Sequence, residues 1–403
     1  MAQTTRCRAL AAIILAEVLA LALWFSGTAV APALRIEAGV DDLTAAFFTS
    51  AVQAGFVAGT LGFALTGIVD RFDGRYLFAA SALTGAGANA AILLVDPGSL
   101  AVIGFRFITG IAMAGVYPVG MKLAVGWAKG DVGLLVGALV GALTLGSASP
   151  HLLVYAGGLD WRWAIGAASA SAALAAVVIL FSAEGPATRR ASRFRPGEIS
   201  VYWTNRSIRL ANFGYLGHMW ELYAMWAWIN VFFLASFALS MPDAEAARLA
   251  ALATFGVIAC GALGAVAAGA VADRIGRTLV TSASLIVSGA CCLLVGQLFD
   301  AAPALLFALA AVWGVAVVAD SAQFSASVTE LSPPDLVGTM LTLQTCIGFL
   351  LTLITIHAMP NFVAWLGWRW AFAPLAIGPA LGAWAMLRLR GLPEARRLAG
   401  GAR

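Results

Sequence analysis

The sequence predicts an all-α membrane protein with twelve transmembrane helices in two repeat-related halves of six. Three observations lead there. The first is composition: of 403 residues, 61% are hydrophobic and only 11% are charged. A soluble domain holds roughly 45–50% apolar and about 25% charged residues. That gap excludes a soluble enzyme, a disordered chain and a nucleic-acid-binding module. The net charge of +4 is too small to call for a polyanionic partner. The second observation is a series of apolar runs, each near the roughly 20 residues that a helix needs to cross a bilayer. The third is a set of landmarks that recur half a chain apart.

Taken in order, the runs place spans near 9–34, 44–69, 76–95, 99–127, 132–156 and 163–183. Six more follow near 207–239, 248–272, 278–299, 303–330, 336–359 and 369–388. Short polar or Gly/Pro breaks separate them. The first run imitates a secretory signal, with Arg6 and Arg8 ahead of it and Ala29-Val30-Ala31 near its end. Glu17 interrupts the apolar core and the run is long enough to span, so it is expected to be retained as span 1. The one long polar break is 184–206, which holds Arg189, Arg190, Arg193, Arg195 and Arg206. It divides an N-terminal half, 1–183, from a C-terminal half, 207–403, and is read as a cytoplasmic central loop.

Charge sets the orientation. With both termini in the cytoplasm, 18 of the 24 Lys and Arg residues fall on that side. The opposite face keeps only Arg35, Arg162, Arg248 and Arg369, and Arg106 and Lys122 lie within span 4. This is a strong positive-inside bias. The expected location is a plasma membrane or bacterial inner membrane, multi-pass. Cys7, Cys260, Cys291, Cys292 and Cys346 show neither disulfide nor CxxC spacing and read as small apolar residues.

The repeat is the most informative feature. Gly67 to Arg75 after span 2 and Gly269 to Arg277 after span 8 each hold an Asp-Arg pair, Asp70-Arg71 and Asp273-Arg274, 203 residues apart. Trp161-Arg162-Trp163 recurs 207 residues later as Trp368-Arg369-Trp370. Glu17 and Trp24 of span 1 recur as Glu221 and Trp228 of span 7, both at an offset of 204. Two six-helix halves of common design account for all three.

On these residues the chain resembles the major facilitator superfamily over nearly its whole length. Gly269 to Arg277 fits that family's G-x-x-x-D-R-x-G-R motif without gaps. The first copy departs from it: Gly67 is one residue closer to Asp70, and Asp73 is an extra residue before Gly74. Arg106-Phe107-Ile108-Thr109-Gly110 is similar to the family's R-x-x-x-G segment in helix 4, whereas the Gly-Pro antiporter motif of helix 5 is poorly matched. The resemblance implies a secondary transporter working by alternating access, with no cofactor, metal or enzymatic activity. It also implies that Asp70, Arg71, Asp273 and Arg274 form gating ion pairs, with Arg75 and Arg277 as anchors.

Intramembrane ionisable residues are where chemistry is expected, because a mid-bilayer charge costs roughly 2.5–3.5 kcal/mol on insertion scales. Glu17, Glu221 and Asp320 are candidate proton carriers, or structural hydrogen-bond partners. His218, three residues before Glu221, shares its helix face and either pairs with it or bonds a backbone carbonyl. Gly214, His218, Glu221, Met225 and Trp228 form the expected inner stripe of span 7. Arg106 shares a face of span 4 with Tyr117 and either binds an anionic group or makes a structural pair. Lys122 lies about 160° around the same helix. Trp313, Asp320, Gln323 and Ser327 share a face of span 10, and Gln344 of span 11 is within reach of the cavity. The expected substrate-binding set is therefore Arg106, Tyr117, Lys122, Trp228, Gln323 and Gln344. Its expected partners are a small anionic or zwitterionic solute, protons and the bilayer, the chain acting as a monomer. The alternative is a proton-coupled exporter of cationic or amphipathic compounds. There is no HExxH, phosphate-cradling or GxSxG motif.

Overall fold

The computed structural model describes residues 2–129, 131–188 and 194–403, and every regular element among them is helical. Spans 2, 3, 5 and 6 are Asp42–Thr66, Gly74–Ala91, Val132–Ala156 and Trp161–Val178. Spans 7, 8, 9 and 11 are Arg206–Phe237, Asp243–Ile275, Arg277–Leu294 and Val337–Leu366. Three spans are broken in two. Span 1 consists of Ala2–Leu21 and Ser26–Ala38, span 4 of Leu100–Met113 and Tyr117–Val125, and span 10 of Pro303–Ala319 and Ser321–Leu331. Span 12 is Ile377–Arg390. Of the expected central loop, Arg189, Arg190 and Arg193 lie outside the described residues.

Among the described residues, ten helices are long and apolar enough by themselves to cross a membrane. Span 7 falls outside that group because polar and aromatic residues dilute it. Span 12 falls outside because its apolar run opens with a 3-10 turn, Ala373–Ala376 around Pro374, and only the last 14 residues are regular helix. Span 8 begins five residues before its apolar run, at Asp243. Asp243 and Glu245 are favoured there by the positive end of the helix dipole. Span 11 continues through Pro360 to Leu366, where the sequence run suggested a stop at 359.

The chain forms two compact units. The first comprises spans 1 to 6 except Val136–Gly141, together with Trp226–Ala259; the second comprises Val136–Gly141 with the rest of spans 7 to 12. Small residues set the helix separations within them. A Cβ on Gly55 would sit 2.0 Å from the Phe107 carbonyl oxygen, and one on Gly110 would sit 2.1 Å from that of Val52. Spans 2 and 4 thus meet backbone to backbone, the close approach that small residues permit inside a membrane.

The breaks position the site. Each interrupts the intrahelical ladder where no water is at hand, so the freed backbone groups need partners from the protein. In span 1 the break is 22–25, in span 4 it is 114–116, and in span 10 it falls at Asp320. Pro118 sits in the first turn of the second piece of span 4, where its missing N–H loses no helical bond.

Candidate functional site

Two groups of buried ionisable side chains stand out, one in each unit. In the second unit, Glu221 is fully buried in the middle of span 7. Its Oε1 accepts hydrogen bonds from Ser288 Oγ, from the Trp313 indole N–H and from the Cys292 thiol, the last at 3.1 Å. Ser288 and Cys292 are four residues apart on one face of span 9. Three donors on one oxygen make a site suited to a carboxylate, whose charge is met when its proton leaves. Oε2 has no hydrogen-bond partner among the described residues. One turn earlier on the same helix, His218 Nδ1 lies 2.9 Å from Asp320 Oδ1, with side chains 2% and 1% exposed. Ser321 Oγ is 3.0 Å from His218 Nε2. Both ring nitrogens are engaged at the break in span 10, and Tyr215 and Phe324 pack on the imidazole. The pairing expected between His218 and Glu221 is thus made by His218 with Asp320. Asp320 occupies a helix break, where its carboxylate is turned to the neighbouring span.

In the first unit, Glu17 is fully buried and neither carboxyl oxygen has a hydrogen-bond partner among the described residues. It lies against Gly120 of span 4: a Cβ there would come within 1.9 Å of Glu17 Oε1. Only glycine leaves room for that carboxyl. Glu17 and Glu221 are therefore sequence-equivalent but differently furnished, one without donors and the other with three.

Arg106 is buried too, and all three of its guanidinium nitrogens donate to protein acceptors. Nε donates to the Phe48 carbonyl at 2.9 Å. One terminal nitrogen donates to the Leu23 carbonyl and Ser26 Oγ at 2.9 Å and to Asn89 Oδ1 at 3.0 Å. The other donates to the Trp24 carbonyl. Leu23 and Trp24 are in the break of span 1, so Arg106 bonds main-chain carbonyls at the interruption, and Ser26 Oγ also donates to that of Leu23 at 3.0 Å. Lys122 is engaged as well. Its ammonium reaches the Asp70 carboxylate and the Val69 carbonyl, the latter at 2.9 Å.

The two motif copies are wired differently. In the first, Asp70 is held by Lys122, Arg71 is exposed, and the extra residue Asp73 caps span 3 through the Arg75 amide at 2.9 Å. The Arg75 guanidinium returns to Asp73 with a closest contact of 2.6 Å. These bonds hold the Asp73 carboxyl below the usual carboxylate range. In the second copy, Arg277 meets Asp273 at 3.3 Å, Glu330 at 2.6 and 2.9 Å, and Gln323 at 2.8 Å, while Arg274 is exposed. The lysine fork at the end of span 4 and the Glu330 carboxylate thus take the places where sequence pairing suggested the adjacent arginines.

Of the remaining expected residues, Tyr117 opens the second piece of span 4 at its break. Trp228 lies beneath the Arg35 guanidinium, 5.7 Å from it. Gln344 donates to Asn212 Oδ1 at 3.0 Å. Sequence reasoning missed Asn212, Ser288 and Cys292. The i, i+4 polar pair on span 9 was the available signal for the last two. Trp24 donates to Gln53 Oε1 at 3.3 Å, and Thr28 and Thr49 are 2.6 Å apart, giving span 1 a polar face toward span 2.

Twelve helical spans among the described residues, ten of them long and apolar enough by themselves to cross a membrane, with ionisable groups sealed inside them, fit a multi-pass helical membrane transporter. The profile of the Major Facilitator Superfamily matches residues 13–259 and 244–403, and the chain belongs to that family. Among solved structures, that of the nucleoside transporter NupG is similar with a TM-score of 0.69 and 14% identity, over 95% of this chain and 99% of that one. At that identity the likeness is one of fold. No curated protein matches the chain.

Proposed function

We propose that the protein moves a small polar solute by alternating access, in step with protons, and that both termini face the cytoplasm. The observation that carries this reading is the enclosed Glu221 and His218–Asp320 group. A carboxyl with three donors and an imidazole–carboxylate pair one turn away offer two places where a proton is held and released. Both lie on spans 7 and 10, where the break at Asp320 frees backbone for rearrangement. Glu17 is the corresponding acid of the first unit. The Asp70–Lys122 and Arg277–Glu330 pairs are the gating contacts, partly buried and small enough in energy to break and re-form.

An anionic or zwitterionic solute was expected from Arg106 and Lys122. Since both bases are committed to protein acceptors, a neutral polar solute is favoured over an anionic one. The name of the NupG relative points the same way, because a nucleoside is such a solute. A cationic solute is the second reading, favoured by the carboxyl of Glu17 that no donor meets.

The test is uptake into proteoliposomes under an imposed pH gradient, with nucleosides, amino acids, organic anions and lipophilic cations as the panel. Glu221→Gln is expected to abolish gradient-driven accumulation while sparing counterflow of the same solute. A variant that accumulates solute as the parent does removes Glu221 from the coupling role.

A further inference from the structure

Span 5 carries a polar stripe that the coupling groups do not use. Thr144, Ser147 and His151 fall at steps of three and four on one face, and all are buried. Contacts at both ends of the span fix what that face meets. A Cβ on Gly137 would sit 3.0 Å from the Ala265 carbonyl oxygen, and one on Gly141 would sit 3.5 Å from that of Ala262. At the other end the Arg248 guanidinium lies 5.3 Å from the centre of the Tyr155 ring. Gly137, Gly141, Thr144, Ala148, His151 and Tyr155 make one row at the same steps, so the row faces span 8. The pairings run in opposite directions along the two spans, which brings Thr254 opposite the turn that holds His151. His151 and Thr254 both belong to the first compact unit. Both are 0% exposed, and neither ring nitrogen of His151 nor Thr254 Oγ1 has a hydrogen-bond partner among the described residues.

We infer that His151 and Thr254 are hydrogen-bonding contacts for a neutral solute, which supplies the partners that the protein does not. The inference deepens the polar-solute reading of the protein and rests on it. A histidine held for packing is bonded, as His218 is, to Asp320 at 2.9 Å and to Ser321 at 3.0 Å. His151 has neither kind of partner. An unbonded imidazole inside the protein costs stability and returns none, and an apolar side chain of its size would serve packing better. The backbone of this turn does not call on it either. Pro150 has no N–H to offer the Gly146 carbonyl, and Ser149 Oγ takes that carbonyl at 2.7 Å. What the turn leaves for binding is therefore the imidazole itself. A neutral imidazole offers one N–H and one lone pair, and the threonine hydroxyl offers both roles. Neither is bonded to an acid or a base, so the pair reads a group that both donates and accepts, such as a hydroxyl or a primary amide, in preference to an ion.

The experiment reads solute binding and stability side by side. Binding of tritiated uridine, ribose and nicotinamide, neutral solutes rich in hydroxyl or amide groups, is measured on the full-length protein in lipid nanodiscs. The thermal midpoint is measured on the same preparations without solute. The parent is expected to bind at least one of these solutes. For that solute, His151→Leu is expected to weaken binding about tenfold and Thr254→Val about threefold to tenfold, the worth of one hydrogen bond. His151→Gln, which keeps a donor and an acceptor, is expected to stay within about threefold of the parent. The midpoints of His151→Leu and Thr254→Val are expected to equal or exceed the parent's, because each removes a buried polar group that nothing bonds. Equal affinity in His151→Leu and parent overturns the inference. A midpoint lowered in both variants overturns it too, since that marks a structural bond. Should His151→Leu not fold, Thr254→Val and His151→Gln carry the same comparison. A parent that binds none of the solutes overturns the neutral-solute reading and the site with it, whereas equal binding by parent and His151→Leu removes the site alone. Binding needs no pH gradient, so the Glu221 flux test and this one fail independently.

Discussion

Replacing Arg106 by methionine separates two roles that the same residue type supports. As a solute ligand, Arg106 would contribute to binding and little to folding. As the group that closes the break in span 1, it contributes to folding first. The structure gives the size of that second effect. Five hydrogen bonds run from one guanidinium to Phe48, Leu23, Ser26, Asn89 and Trp24. At the average of about 0.6 kcal/mol measured for interhelical bonds in a membrane, their loss comes to about 3 kcal/mol. Ser26 Oγ still donates to the Leu23 carbonyl and Asn89 Oδ1, so the other three acceptors at about 1 kcal/mol each, the low end for a buried group, give about 3 kcal/mol again. Methionine fills most of the volume, so little of this is a cavity effect. Arg106→Met is therefore expected to lower the thermal midpoint of the detergent-solubilised protein by many degrees. Arg106→Lys, with three donors on a flexible stem, should fall between the two. The assay is thermal unfolding followed by size-exclusion fluorescence, with solute counterflow measured on the same preparations. An unchanged midpoint combined with lost uptake of an organic anion would refute the reasoning and return Arg106 to the solute site.

The other expectations concern single contacts. Gly120→Ala should destabilise by about 1–3 kcal/mol, because its methyl must displace the Glu17 carboxyl. The double variant with Glu17→Ala should recover most of that loss in a thermal-unfolding cycle, and strictly additive losses would contradict it. Lys122→Met and Asp70→Asn should lower the midpoint by similar amounts, with the double variant no worse than either, because both remove one pair. A Lys122 effect confined to solute affinity would speak against the pairing. Because the Arg75 bonds hold the folded-state Asp73 carboxyl below its ordinary value, the stability it supplies is present above that value. It is lost as pH falls through the folded value. The midpoint difference between the parent and Asp73→Asn should thus be constant from about pH 7 to pH 5 and shrink below about pH 4.

Much of the fold was legible because the bilayer makes it so. A chain that must satisfy its backbone inside hydrocarbon shows its helices as apolar runs, and the 204-residue echo of Glu17 and Trp24 reveals the duplication. The helix breaks were not legible. Ala22-Leu23-Trp24-Phe25 has no helix-breaking residue, and the side chain that bonds its carbonyls, Arg106, comes from another span. The short form of span 12 was hidden because Pro374 lies within a run that stays apolar throughout. At the site, sequence spacing found the right residues and missed their partners. His218 and Glu221 share a helix face, yet side chains on one face of a helix point outward together, and each bonds what the adjacent span presents. For His218 that is Asp320; for Glu221 it is Ser288, Cys292 and Trp313. Lys122 looked like a solute ligand because its helical position is known from sequence, whereas the reach of its stem to Asp70 is not.

The way Arg106 is held has a consequence for how this region tolerates sequence change. Three of its five acceptors are main-chain carbonyls, those of Leu23, Trp24 and Phe48. A carbonyl is supplied by whichever residue stands there, so substitution at 23, 24 or 48 alters side-chain packing but leaves the acceptor in place. The donor has no such redundancy, since only arginine offers five N–H groups in a rigid fork. The contact is robust from one end and brittle from the other. A saturation library scored for expression should show position 106 intolerant of almost every replacement, beside neighbours at 23, 24 and 48 that accept many apolar ones.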